Sequence, residues 1–357
     1  MTERILSTGN DAVARAAISA GCKNYFAYPI TPQSEIAHYM ARELPKIGGA
    51  FLQSEGEYAA AYMVLGGALS GERVMTSTSS PGIALMQEPL SMLITAELPA
   101  VIVDTQRLGP GTGTGGQQGQ TDYSFVTRGV YGGIRYPVLA PYSVSEIFEF
   151  VQLAFHIADK YRIVAMVLTD FVLGRMTEYL ELKTFDFGPL PEKDWALKGK
   201  AHKGGRSDFL FTVTGLMLDI TGFFAQQQEK CDKIIDSEIR YETYKAEDAD
   251  FLIVAYGYSA RVSKRAVNMA REQGIKAGLF RPITLWPFPK EALQREASRA
   301  GKVLVVEDSP GGLVEDVELA VKGAAAIHFL GIQARHTSRA EGLIFPERIL
   351  QEVRELL

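Results

Sequence analysis

The chain has two cysteines in 357 residues, Cys22 and Cys231, and neither lies in a Cys-x-x-Cys or Cys/His spacing. That scarcity excludes a disulfide framework and leaves no ligand set for zinc or an iron–sulfur cluster, so both are expected as buried structural thiols. No apolar run approaches the ~18 residues of a membrane helix. The opening Met1-Thr2-Glu3-Arg4 runs into a mixed polar pattern unlike a signal peptide. A cytoplasmic protein, with no membrane partner, is expected. Basic residues are not in excess: 37 Lys and Arg face 42 Asp and Glu, for a net charge of −5. Such a balance offers no patch for nucleic acid or an anionic membrane. The five histidines, His38, His156, His202, His328 and His336, show no metal spacing. Internal repeats, heptads, a Gly-x-Ser-x-Gly elbow and a P-loop Gly-Lys-Ser/Thr are all missing, which sets aside solenoids, coiled coils, a serine nucleophile and a P-loop nucleotide site.

What is there is alternation. The length suits two domains with a large core. From residue 1 to about 185, apolar runs at 24–29, 50–55, 73–79, 100–105, 136–141 and 163–170 alternate with amphipathic patterns at 8–20, 32–46, 57–70, 82–95 and 143–161. This is the βαβ rhythm of a parallel sheet covered on both faces. Residues 185–208, rich in Pro, Gly and Lys, have no sustained period and read as an exposed connector; the connecting segment is taken as 186–247. Within it, 225–247 reads as helix, with Ile234, Ile235 and Ile239 on one stripe. A second α/β unit, 248–357, follows with strands at 249–257, 276–282 and 302–309 and a helix at 259–274.

Chemistry is expected at four places. Tyr28-Pro29-Ile30-Thr31-Pro32 joins an aromatic strand to an amphipathic helix, with Pro32 in the first turn and Thr31 either capping the helix, touching a ligand, or both. Residues 53–71 place Glu55 and Glu57 before a helix crowded with alanine and glycine, which would let it approach something closely. A glutamate there is also explained by the helix dipole alone. In residues 75–90, Ser79 and Ser80 precede Pro81-Gly82, where hydroxyls and free N–H groups hold a polar ligand or merely cap a helix. Finally, Arg107 leaves a strand into a glycine-rich loop. Gly111, Gly113 and Gly116 formally make a Gly-x-Gly-x-x-Gly, but no apolar helix continues it. Arg107 is a carboxylate clamp or a surface arginine.

Taken in order, "YPITPQSE", "SEGEYAAAYMVLGGALSG", "TSSPG", Arg107-Leu108-Gly109-Pro110, "FRPITLWPFP" and "VVEDSPGGLVEDV" resemble the α subunit of the 2-oxoacid:ferredoxin oxidoreductases, particularly the 2-oxoisovalerate and 2-oxoglutarate members. The resemblance spans nearly the whole chain. It implies an α/β fold with a thiamine diphosphate pyrimidine-binding domain, 1–185, followed by a transketolase C-terminal-like domain. The activity implied is coenzyme A-dependent oxidative decarboxylation of a 2-oxo acid with reduction of ferredoxin. By the same resemblance Glu57, not Glu55, shares a proton with the cofactor's aminopyrimidine. Thr31 and Arg107 face the substrate, Arg107 pairing with its carboxylate, while Tyr28, Pro29, Ile30, Ser79 and Ser80 flank the cofactor.

The chain departs from thiamine enzymes in having no Gly-Asp-Gly, the start of the motif that holds magnesium and diphosphate. A β subunit is therefore expected to bind the diphosphate and Mg2+ and to carry [4Fe-4S] clusters, with γ and ferredoxin-like δ subunits and ferredoxin completing the system. Two rivals remain: the β chain of a lipoamide-linked 2-oxoacid dehydrogenase, and a non-catalytic scaffold subunit. Apolar Ile30 and Leu108 lean the substrate towards a branched chain, with 2-oxoglutarate next.

Overall fold

A computed structural model describes residues 3–113, 115–199, 219–332 and 343–356. Their strands are β1 (Glu3–Thr8), β2 (Asn24–Ala27), β3 (Ala50–Gln53), β4 (Val74–Thr78), β5 (Ala100–Gln106), β6 (Val138–Leu139) and β7 (Val164–Asp170). They continue with β8 (Thr177–Leu182), β9 (Tyr241–Tyr244), β10 (Phe251–Val254), β11 (Ala277–Pro282), β12 (Thr284–Trp286), β13 (Lys302–Val306) and β14 (Ala326–Leu330). The larger sheet has the order β12-β6-β7-β5-β4-β2-β3 and is parallel except for β12. Strands β4, β5 and β7 are buried along their full length, as central strands under helices on both faces must be. The second sheet, β14-β13-β10-β11-β9, is parallel except for β9. One hydrophobic core is continuous between the two sheets, taking Ile102 and Met166 from the first and Leu252, Phe280 and Val305 from the second.

The α/β alternation of the sequence is present, with local differences. The helix expected at 32–46 runs Ser34–Glu43 and tightens into a 3-10 turn, Leu44–Ile47. That expected at 82–95 is two helices, Ser80–Leu85 and Gln87–Thr95. The break places Pro89 in a first turn, where its missing N–H is harmless. Of 136–141 only Val138–Leu139 is strand. The helix expected at 225–247 begins at Ile220, ends at Glu238, and gives way to β9, antiparallel to β11. Tyr241 and Tyr244 favour a strand over a helix, and of the isoleucine stripe only Ile234 is fully buried, while Ile235 is exposed. The connector is not simply exposed: Trp195 and Ala196 are buried, with Ala196 packed on Gly71 and Arg162 over the Trp195 ring. Residues 200–218, including His202, and residues 333–342, including His336, lie outside the described residues.

The small-residue helix Glu57–Leu69 packs closely on β2 and β4 at Gly67. A Cβ on Gly67 would meet the Phe26 ring at 3.0 Å and Val74 at 3.2 Å. Its N-terminus, however, opens at the carboxyl end of the sheet, where α/β folds place their ligands.

Candidate active site

The corner after β2 is held by its own carbonyls. The Asn10 side chain donates to Pro32 O at 2.8 Å, the Ser34 hydroxyl to Ile30 O at 3.2 Å, and Arg107 Nη1 to Thr31 O at 2.7 Å. Gln33, fully buried, anchors the far side by bonding Ser77 through both ends of its amide. Gln33, not Thr31, is the N-cap residue, because the helix begins at Ser34. The Thr31 side chain is thereby left exposed, and its hydroxyl makes no hydrogen bond to the described residues. Tyr28 is exposed, with Pro29 and Ile30 half-buried beside it.

The structure separates the two glutamates. Glu55 is exposed; Glu57, the first residue of its helix, is 7% exposed, and its carboxylate has no hydrogen-bond or ion-pair partner among the described residues. It lies over Gly82, where a Cβ would sit 2.8 Å from Glu57 Cγ, 2.9 Å from its Oε1 and 2.0 Å from Thr78 Oγ1. Only glycine leaves room there. Thr78, also against Gly82, and Thr76 and Ser79 of the same strand and its end have buried hydroxyls with no hydrogen-bond partner among the described residues. Buried polar groups rarely stay unsatisfied in a finished site. An unpartnered carboxyl, a glycine floor and free hydroxyls fit a polar heterocycle that offers both donors and acceptors.

Ser80 is differently employed. Its hydroxyl donates to Asp122 Oδ2 at 2.6 Å and also meets both the N and the O of Arg107 at 3.3 Å. Arg107 is 4% exposed, so it is no surface arginine; it forms no salt bridge with the described residues, although its charge acts on the nearby Asp104 and Asp122 carboxyls. Its Nε is buried without a partner, and Gly115 closes over both it and Thr31, with a virtual Cβ 3.0 Å from Nη1 and 3.6 Å from Thr31 Cβ. Behind the strand end lie Asp104 and Asp122. Burial and the neighbouring Asp122 hold the Asp104 carboxyl well above the usual carboxylate range, and burial pushes Asp122 up to about 6. The two carboxyls are neighbours, so ionising one disfavours ionising the other.

Thus the structure gathers Thr31, Arg107, Glu57, Ser79 and Ser80 at the carboxyl ends of β2, β4 and β5, with Glu57 following β3. Sequence reasoning missed Asn10, Gln33, Ser77, Asp104 and Asp122. Only Asp104 carried a signal, a charge inside the apolar run Ala100–Gln106. Cys22 is buried, and burial pushes its thiol up to about 12; Cys231 is half-buried. The described residues include no cluster of His, Cys, Asp and Glu able to hold a metal, and no helix long and apolar enough to cross a membrane.

Residues 15–241 match the family described as pyruvate flavodoxin/ferredoxin oxidoreductase, thiamine diP-bdg, and residues 249–340 match pyruvate:ferredoxin oxidoreductase core domain II. The chain is 45% identical to ketoisovalerate oxidoreductase subunit VorB of Methanothermobacter thermautotrophicus, over 87% of this chain and 88% of that one. With 2-oxoglutarate synthase subunit KorA of the same organism it shares 36% identity, over 92% of this chain and 94% of the relative. A solved 2-oxoglutarate:ferredoxin oxidoreductase from Magnetococcus marinus, with 2-oxoglutarate, coenzyme A and succinyl-CoA bound, superposes with a TM-score of 0.81 at 28% identity. The superposition covers 99% of this chain and 65% of that longer one. These findings do not favour a lipoamide-linked dehydrogenase chain.

Proposed function

The chain belongs to the pyruvate flavodoxin/ferredoxin oxidoreductase family, among its 2-oxoacid:ferredoxin members, and from that premise we propose that it is the α-type subunit of an enzyme converting a branched-chain 2-oxo acid and coenzyme A to acyl-CoA, carbon dioxide and reduced ferredoxin. One observation carries the reading: Arg107 is a buried cation that forms no salt bridge with the described residues, its charge met only by the Asp104 and Asp122 pair, which burial holds towards the neutral form, and Glu57 nearby in the chain's strand-end loops is likewise without a hydrogen-bond partner among them. A buried charge is costly unless paired, so the site is built to receive an anion.

Thiamine diphosphate, when bound, supplies a carbon nucleophile for the 2-oxo carbon and a sink for the electrons left when carbon dioxide departs. Glu57 would hold the aminopyrimidine of that cofactor through its carboxyl and serve its proton transfers, in a place where Gly82 leaves room beside it. Thr78 and Ser79 offer unspent hydroxyls to its polar edge, with Tyr28, Pro29 and Ile30 flanking. The Thr31 hydroxyl, unused by the described residues, donates to the 2-oxo oxygen. Arg107 clamps the substrate carboxylate with the face of its guanidinium not spent on Thr31 O. Ser80 acts indirectly, holding the main chain of Arg107. Because these groups are fixed before substrate arrives, little reorganisation is needed at reaction.

The pyrimidine-binding part is assigned to 1–185, a connector to 186–247 and the transketolase C-terminal-like part to 248–357. A β subunit supplies the diphosphate, Mg2+ and [4Fe-4S] half, with γ and ferredoxin-like δ subunits passing electrons to ferredoxin in the cytoplasm. The branched-chain preference rests on the 45% identity to a ketoisovalerate subunit against 36% for a 2-oxoglutarate one, and on apolar Ile30 and Leu108. The test is anaerobic purification with the native partners, then coenzyme A-dependent viologen reduction with a panel of 2-oxo acids. The highest kcat/KM is expected for a branched-chain acid. A preference for 2-oxoglutarate overturns the substrate, and inactivity of the intact complex on every acid overturns the class.

A further inference from the structure

The second sheet has a topological switch point between β10 and β13, because β11 lies on one side of β10 and β13 on the other. At such a crevice, outside the carboxyl ends of the strands, an α/β sheet ordinarily takes a ligand. Here it is filled by a side chain from the first half of the chain. Gln120 is fully buried, and all of its hydrogen-bonding groups are spent on residues that follow β10 and β13. Its Nε2 donates to Tyr256 O at 3.1 Å, and its Oε1 accepts from Ser259 Oγ at 2.7 Å and from Asp308 N at 2.9 Å. The backbone N of Gln120 donates to Asp308 O at 2.6 Å, and its carbonyl accepts from the Tyr256 hydroxyl at 3.4 Å. Gly257, at φ +55°, completes the socket, since a Cβ there would lie 2.8 Å from Gln120 Nε2.

Gln120 stands on the returning leg of the loop that Arg107 opens. The two legs are in backbone contact: a Cβ on Gly119 would lie 2.6 Å from Leu108 Cα and 3.1 Å from the Arg107 carbonyl carbon. Next to Gln120, the Thr121 hydroxyl donates to Arg107 O at 3.0 Å and accepts from Gly109 N at 3.2 Å. The returning leg is thus fixed to the second sheet, and the departing leg to the returning one.

We propose that Gln120 is a positioning residue for the substrate: plugged into the switch-point crevice of the second sheet, it sets the loop that aims Arg107 at the 2-oxo acid carboxylate. This rests on the assignment of Arg107 above, and it gives the second sheet a role in substrate affinity without a ligand of its own. Displacing a reacting partner by about 1 Å costs on the order of a hundredfold, so loss of one anchor is expected to cost about tenfold.

The test uses the complete complex. Gln120→Ala is expected to raise KM for the 2-oxo acid about tenfold, leaving KM for coenzyme A and the bound thiamine content at wild-type levels. Ser259→Ala, which removes one of the anchors and keeps the fold, is expected to raise it less and in the same direction. In an Arg107→Ala background, Gln120→Ala should add nothing, because both act on one interaction. If Arg107→Ala raises KM but neither Gln120→Ala nor Ser259→Ala does, or if the Gln120 and Arg107 effects add in full, Gln120 is only structural and the inference is wrong. An unchanged KM in Arg107→Ala alone overturns instead the assignment of Arg107, and this inference with it.

Discussion

Arg107 and Thr31, 76 residues apart, are joined by a hydrogen bond from the guanidinium Nη1 to the Thr31 carbonyl at 2.7 Å. The same arginine therefore fixes the corner that presents the Thr31 hydroxyl and offers its remaining donors to a substrate. Arg107→Ala removes both, and KM for every accepted 2-oxo acid is expected to rise by tenfold or more, as expected when a buried charge-assisted bond is lost. Arg107→Lys should recover only part of that, since an ammonium cannot hold Thr31 O and grip a carboxylate in a fork at once. Steady-state kinetics with two unrelated 2-oxo acids checks this; an unaltered KM moves carboxylate recognition elsewhere.

Glu57→Gln keeps the shape of the side chain and removes its ability to hold an acidic proton. Assembly with partner subunits, followed by gel filtration, is expected to be unchanged, while turnover falls about a hundredfold or more, the usual scale for losing an acid–base group. Full turnover in a correctly assembled complex would return the scaffold reading.

Gly82 gives a separate handle on the same pocket. The Cβ of Gly82→Ala collides with Thr78 Oγ1 and Glu57, so about 1–3 kcal/mol of strain is expected, together with weaker thiamine diphosphate binding by calorimetry. Gly66→Ala, in the neighbouring helix with open space around its virtual Cβ, should leave binding as it is. Equal behaviour of the two variants would remove Gly82 from the site.

Much of this arrangement was legible in the sequence, for identifiable reasons. The central strands are long apolar runs, and the corner at 28–32, the buried Glu57 and the Arg107 loop each carry a local chemical signature. Features that depend on distant partners had none. Strands β1 and β8 pair across 169 to 179 residues, and β12 leaves the second half of the chain to join the edge of the first sheet. Asp122 and Gln120 look like ordinary loop polar residues; only burial against Ser80 in one case and Tyr256, Ser259 and Asp308 in the other gives them a role. The EDSPGG stretch explains itself in three dimensions, with Glu307 accepting from the backbone of Gly312, Leu313 and Val314 and so closing its own turn.

Arg281 ties the second sheet to the helix Val144–Tyr161. On β11 and 2% exposed, it meets both oxygens of Glu146 at 2.7 and 2.8 Å, Glu242 at 3.0 Å and the face of Tyr142 at 3.9 Å. Arg281→Met is expected to destabilise the fold by about 3 kcal/mol, the lower end for removing one partner of a buried pair, because the remaining carboxylates keep 20% and 32% exposure. Urea unfolding measures it. A variant as stable as the parent would show that desolvation of the guanidinium cancels its pairing.

Asp308 provides a pH signature. Its carboxylate is buried with the Gln118 amide beside it, and burial, followed by the charge of Asp170, pushes it up to about 8. An unfolded aspartate titrates near ~3.9, so between those values the folded chain holds a proton that the unfolded chain has released. The stability this contributes is complete below about pH 4 and is lost as pH rises through about 8. Asp170, raised by burial to about 6, acts with the same sign over a lower window. Comparing wild type with Asp308→Asn isolates the first group, because the amide keeps the shape of the carboxyl and never ionises. The two proteins should unfold at similar urea concentrations near pH 4, and the variant should be the more stable near pH 8.5. A tenfold change in a proton-binding equilibrium is worth about 1.4 kcal/mol, so the gap is on the order of a few kcal/mol. If the two curves run parallel across that range, Asp308 ionises as freely in the folded chain as in the unfolded one, and the crevice around it is wetter than its burial indicates.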